Sequence, residues 1–179
     1  LFEKCIKYIS KKFEVVLAEE YYLSPEKQAS NKKIATIMFD DGYKDNIEFA
    51  APILKKYNCK ASFYVVTNCI DKNEPTWTQV LENQFINTKK TRLDLKFDFL
   101  PSSFNIENLI SSDEKKVFVS KLKPVLKNIN HEKRTLVLNK ISKMFNDVSP
   151  QKNMMSWNDL RKLENDGHYI GSHTVSHPA

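Results

Sequence analysis

The run Ile34-Ala35-Thr36-Ile37-Met38-Phe39-Asp40-Asp41-Gly42-Tyr43 decides how the rest of the chain is read. Its first six residues are nearly all apolar, which suits a strand buried on both faces. They end at Asp-Gly, a strong turn signal. Downstream, Ile47, Ala50, Ala51, Ile53, Leu54 and Tyr57 share a helical face over 46–57. Pro52 predicts a late start or a bend in that helix, and Asn58 a cap at its end. Residues 60–67 then read as a second buried strand. Strand, helix, strand is a β-α-β unit, which implies parallel pairing and a right-handed crossover. The fold class is α/β.

Further out, Phe2, Cys5, Ile6 and Ile9 predict an amphipathic helix over 1–12, and 13–17 a short strand. Ser24-Pro25-Glu26 looks like a helix start, and 29–33 like a polar loop. Residues 72–150 are rich in Lys, Asn and Ser, with helices predicted over 112–128 and 131–145. Ser112-Asp113-Glu114 is the expected cap and acidic first turn of the former, and Pro124 should bend or split it. Residues 92–97 alternate apolar and polar, as in a short exposed strand. Regular patterning returns with a helix opening at Ser156-Trp157, ending at Gly167, and a strand over 168–171. Residues 72–150 therefore read as an insertion within a single domain spanning 1–179.

The chain has 179 residues, 41% hydrophobic and 28% charged, enough for a packed core. No apolar run approaches the ~18–20 residues that span a bilayer. The N-terminus has no signal-peptide pattern, and a first residue Leu1 fits an excised chain, so the native address stays open. The net charge of +6 is spread over pairs such as Lys32-Lys33 and Lys115-Lys116, with no basic stripe, so nucleic acid is not an expected partner. Cys5, Cys59 and Cys69 form no framework of disulfides, although one bridge stays open.

Two segments carry chemistry. Asp40-Asp41 follows a strand end, where catalytic groups of α/β sheets collect. The plainer reading is a turn with a capping Asp. His173-x-x-x-His177 also follows a strand. Histidines one turn apart can share an ion, and an added carboxylate would leave a position open for water, as in catalytic zinc-type sites. The plainer reading is two exposed histidines.

Phe-Asp-Asp-Gly after one strand and Gly-Ser-His-Thr-Val-Ser-His-Pro after a later one together resemble the polysaccharide deacetylase family (NodB homology domain, carbohydrate esterase family four). Ser62-Phe63-Tyr64-Val65-Val66-Thr67 and the stretches at Met155-Ser156-Trp157 and Gly167-His168-Tyr169-Ile170-Gly171 resemble it too, so the likeness covers 34–70 and 153–179. It implies a partial, distorted (β/α) barrel with 72–150 as a helical insertion. It implies a metal-dependent hydrolase acting on carbon–nitrogen, non-peptide bonds, which removes acetyl groups, N-acetyl foremost, from a polysaccharide or cell-surface glycan. By position, Asp40 matches the general base. Asp41, His173 and His177 match the ligands of one divalent ion, zinc by default, with cobalt, nickel or manganese open. The Tyr43 backbone N–H matches an oxyanion donor, and the Thr174 hydroxyl a group that orients the histidine loop. A bacterial, extracytoplasmic or cell-envelope setting would follow.

The family's later motifs, an arginine segment, an Asp/Trp segment and a Leu-x-His segment carrying the general acid, do not occur in residues 1–179. The domain is therefore expected to be incomplete, a C-terminally truncated piece of a longer enzyme, the alternative being a short protein that folds differently or pairs with another chain. Four or five strands are predicted where the family has about seven. Neither His131, read as a surface residue, nor His168, read as structural, stands in the right order to replace the acid. Trp77 could line a sugar groove, while core packing suits Trp157 better. These residues alone are expected to bind metal weakly, to turn over little, and to self-associate through open sheet edges. The alternative is a catalytically incompetent carbohydrate-binding or structural module that keeps the fold.

Overall fold

The computed structural model describes residues 1–28 and 31–178. Its contacts divide the chain into two compact units, Leu1–Pro75 with Lys152–Ser176, and Thr76–Gln151 with His177–Ala179.

The first unit runs through α1 (Phe2–Lys12), β1 (Glu14–Val15), α2 (Ala18–Leu23), α3 (Pro25–Gln28), β2 (Ile34–Ala35) and β3 (Met38–Asp41). A π-helical turn, Asn46–Ala50, leads into α4 (Ala51–Lys56), followed by β4 (Ser62–Val65) and α5 (Thr67–Lys72). The predicted strand over 34–39 is two strands. β2 pairs with β1, while β3 pairs with β4, and both pairings are parallel. The break falls at Thr36-Ile37. Met38 is 56% exposed, so burial on both faces is not what β3 shows. Among the described strands β3 has a neighbour on one side only, and the buried strand is β4, whose Ser62, Phe63 and Val65 are at most 2% exposed. The Phe39 ring stacks on Phe63 at 4.8 Å, tying the outer strand to the core.

Pro52 acts as expected. It has no N–H to bond the carbonyl four residues back. The chain takes a π turn before it, with the Ala51 N–H donating to the Asn46 carbonyl, and the α-helix begins only at Ala51. The helix ends in a Schellman motif. Asn58, at φ 51°, donates to Lys55 O at 3.1 Å and Cys59 N–H donates to Leu54 O at 2.9 Å. The predicted polar loop at 29–33 falls partly on residues 29 and 30, outside the described residues; 31–33 have no regular structure.

Glu19 on α2 accepts hydrogen bonds from Ser62 Oγ at 2.7 Å and from Tyr64 OH, fastening α2 to the central strand. Burial alone would raise the Glu19 pKa, but these two bonds outweigh it and the carboxyl lies below its usual value. The bond to Glu19, and then burial, push Tyr64 up to about 12. The signs follow. The Glu19 contribution to stability is present above the ordinary carboxylate value and is lost as pH falls through the lowered one. The Tyr64 contribution is complete below about 10, the ordinary value, and is lost as pH rises through about 12. Glu19→Gln should therefore bring one tyrosine back toward ordinary titration, measured as tyrosinate absorbance against a Tyr64→Phe control.

The second unit holds α6 (Trp77–Asn87), β5 (Arg92–Asp94), β6 (Ile106–Asn108), α7 (Ser112–Lys127) and α8 (His131–Met144). Residues 92–97 are not an exposed strand. β5 pairs antiparallel with β6, and Leu93 and Leu95 are fully buried with Phe85, Phe118 and Leu122. The cap of α7 is Ser111, not Ser112, in a reciprocal capping box with Glu114. Pro124 lies inside a continuous α7 and does not split it.

The chain returns to the first unit with α9 (Trp157–Asn165) and β7 (Tyr169–Ser172). Ser156 and Asp159 form a capping box, and Gly167, at φ 85°, closes the helix in a second Schellman motif. His168 is buried, and its Nδ1 accepts the Ala61 N–H at 3.1 Å. Burial lowers its pKa, and the bond ties the residue before β7 to the residue before β4. Trp157 is not core. It opens α9, is 42% exposed, and donates from Nε1 to Asp71 at 2.8 Å. The three-stranded sheet has the order β3-β4-β7, all parallel. The seven described strands form three separate sheets of two, three and two strands, and none of these closes into a barrel.

Candidate metal centre

Register brings the two chemical segments together. Asp41 lies opposite Val65, and Val65 opposite Ser172, so β3, β4 and β7 finish level with one another. The His173 N–H continues the ladder onto Val65 O at 2.8 Å. Two segments more than 130 residues apart thus leave the same end of the sheet, one on either side of β4.

The exit from β3 is tight. The Gly42 N–H donates to Asp40 O at 2.8 Å, a three-residue γ-turn with Asp41 at its centre at φ 70°. Gly42 follows at φ 92°. A Cβ there would lie 2.9 Å from Ile70 Cδ1 and 3.0 Å from Val65 Cγ1. Both the conformation and the space exclude a side chain. Gly42→Ala is expected to cost about 1–3 kcal/mol, read as a lower denaturation midpoint.

Beyond the turn, Gly42 O accepts the Met155 N–H at 2.9 Å and the Lys44 N–H donates to Asn153 O at 2.8 Å. These bonds bracket Tyr43, which pairs with Met154. The histidine loop is also anchored by its backbone: Thr174 O accepts the Thr67 N–H at 3.3 Å and Val175 O the Asn68 N–H at 3.0 Å. Those donors open α5, where helical N–H groups lack partners within the helix.

Asp41, His173 and His177 are each partly buried, and one ligand atom from each lies within 4.8 Å of the others. His173 Nε2 is 3.8 Å from Asp41 Oδ1. Ligand atoms on a tetrahedral zinc lie about 3.4 Å apart for bonds of about 2.0–2.1 Å. A contraction of a few tenths of an ångström would suffice between these two. Two imidazoles and one carboxylate oxygen are also a donor set that suits zinc and its neighbours. The residues fit a divalent ion.

Asp40 is exposed and lies outside the three-residue cluster. Tyr43 is partly buried and Thr174 is exposed. His131 is exposed, with Nδ1 3.4 Å from Arg134. Trp77 donates from Nε1 to His177 O at 3.0 Å and carries Arg134 5.0 Å over its ring. The sequence reading missed this backbone tie, along with the Asn153–Met155 clamp on Tyr43 and the Thr67 and Asn68 anchors. Main-chain bonds of this kind leave no side-chain signature. Cys5, Cys59 and Cys69 are all free thiols. Burial, and then the Asp41 charge, push Cys69 up to about 11.

A family model for polysaccharide deacetylase matches residues 27–179. The chain belongs to the polysaccharide deacetylase family. Over 48 residues it is 44% identical to a Bacillus subtilis (strain 168) protein named "Putative polysaccharide deacetylase YxkH", covering 27% of this chain and 17% of that one. Among solved structures, it is similar to a de-N-acetylase from Aggregatibacter actinomycetemcomitans, with 16% identity and a TM-score of 0.44 over 94% of this chain and 41% of the other. It is similar also to the BpsB deacetylase domain from Bordetella bronchiseptica, with 17% identity and a TM-score of 0.44 over 95% and 42%. The chain thus spans less than half the length of these relatives.

Proposed function

We propose that this chain contributes the metal-holding part of a hydrolase that removes acetyl groups, N-acetyl foremost, from a polysaccharide or cell-surface glycan. The observation that carries the reading is the convergence of Asp41, His173 and His177 within 4.8 Å, in a chain of the polysaccharide deacetylase family. Those three residues would hold one divalent ion, zinc by default. Such an ion supplies polarisation of the acyl carbonyl and a more acidic attacking water. Asp40 acts as the general base. As a carboxylate next in sequence to a ligand and open to solvent, it takes the proton from the water as the bond to the carbonyl carbon forms. The Tyr43 N–H donates to the developing oxyanion, its position set by the Asn153–Met155 clamp on both flanks. Thr174 holds the loop between the two histidines.

The α/β sheet is, in this reading, one part of a distorted (β/α) barrel, and 72–150 is an insertion in that domain. An acetylated glycan of the cell envelope as substrate would place the enzyme outside the cytoplasm. The test is acetate release from N-acetylglucosamine oligomers by the protein that carries this chain, with and without chelator. Release that stops on chelation and returns with zinc is expected. Glycan binding without metal-dependent release would favour a non-catalytic carbohydrate-binding module instead.

A further inference from the structure

Among the described residues, five other than glycine have positive φ: Asp41, Asn58, Asn73, Thr174 and His177. Asn58 and Asn73 are ordinary, since asparagine tolerates left-handed backbone and both sit at helix ends. The other three are two of the candidate ligands and the first of the three residues between the histidines. Thr174 is the hardest to account for locally. It is β-branched, its φ is 69°, and the side chain is exposed, so core packing does not impose the conformation. The bond from the Thr67 N–H to its carbonyl, and the next from Asn68 to Val175, hold the loop in place from the backbone side.

We propose that Thr174 is a positioning residue whose strained backbone holds His173 toward Asp41 before any metal arrives, so that the fold gives up stability for a preformed ligand pair. Strain of this kind persists only where the surroundings over-determine it, and it collects at ligand clamps. The chain's own geometry agrees. His173 Nε2 and Asp41 Oδ1 stand 3.8 Å apart, and Asp41 is itself held at φ 70° by the bond from Gly42 to Asp40. The proposal rests on the metal-site reading above but assigns the Thr174 role to its backbone rather than to its hydroxyl.

It predicts opposite signs for two measurements on one variant. In Thr174→Gly the left-handed conformation no longer carries strain, so the thermal midpoint without metal should rise by about 2–4 °C. The loop also samples more conformations, so zinc affinity should fall about 10–100-fold, the range typical of groups that orient ligands. Thr174→Asn keeps the left-handed preference without the hydroxyl and should retain near wild-type affinity. Asn58→Gly, at a positive φ away from the ligands, should leave affinity unchanged. The experiment is calorimetric titration of zinc into wild type and the three variants, with thermal melts in chelator. Unchanged affinity in Thr174→Gly, or a loss in Thr174→Asn equal to it, would overturn the proposal while leaving the metal site standing. A wild type that takes up no zinc would overturn both.

Discussion

His173→Ala should abolish stoichiometric binding of zinc while leaving the fold intact. The side chain is partly buried and its Nε2 faces Asp41 Oδ1 at 3.8 Å, and neither belongs to the hydrophobic core built on Leu54, Phe63 and Leu163. What the truncation removes is one of three donors. Loss of a group that merely orients a ligand lowers metal affinity about 10–100-fold, so loss of the ligand itself should exceed about 100-fold. Equilibrium dialysis against zinc, with circular dichroism as the folding control, measures this. Asp41→Ala should behave in the same way with respect to metal. It also removes the carboxylate whose charge helps to hold the Cys69 thiol at about 11, although burial is the larger cause of that shift.

Asp40→Asn should have the complementary phenotype. Asp40 is exposed and stands outside the cluster formed by Asp41, His173 and His177. Exchanging its carboxylate for an amide removes proton acceptance without removing a ligand. General-base catalysis is typically worth about 10²–10⁴ in rate, so acetate release should fall by that factor with zinc content unchanged. The two adjacent aspartates would then be separated experimentally, one by rate and the other by metal. If Asp40→Asn lost metal as Asp41→Ala does, Asp40 would have to be counted as a ligand.

Much of this site was legible in the sequence because it rests on local signals. Asp-Asp-Gly after an apolar run marks a strand end, and His-x-x-x-His after another strand marks a second. Register between β3, β4 and β7 then brings the two ends level. Caps and helix ends were similarly readable at Asn58, Ser156 and Gly167, where the residue type itself favours the conformation. The division of 34–39 into β2 and β3 was not readable, since Thr36 and Ile37 are as strand-like as their neighbours and only the partner strands distinguish them. Burial of Leu93 and Leu95 likewise depends on pairing with β6 and on packing beneath α7, which no window around residue 93 contains. The opposite error at Trp157 has the same origin. Its indole N–H found Asp71, 86 residues away, and the ring stayed at the surface.

The central claim is that Asp41, His173 and His177 hold one divalent ion. X-ray absorption at the zinc edge of the loaded protein tests it most directly. The expected spectrum shows two imidazole nitrogens and carboxylate or water oxygens at about 2.0–2.2 Å, with the imidazole signal lost in His173→Ala. A sulfur shell near about 2.3 Å would move the site to the cysteines, and a spectrum unchanged in His173→Ala would contradict the assignment.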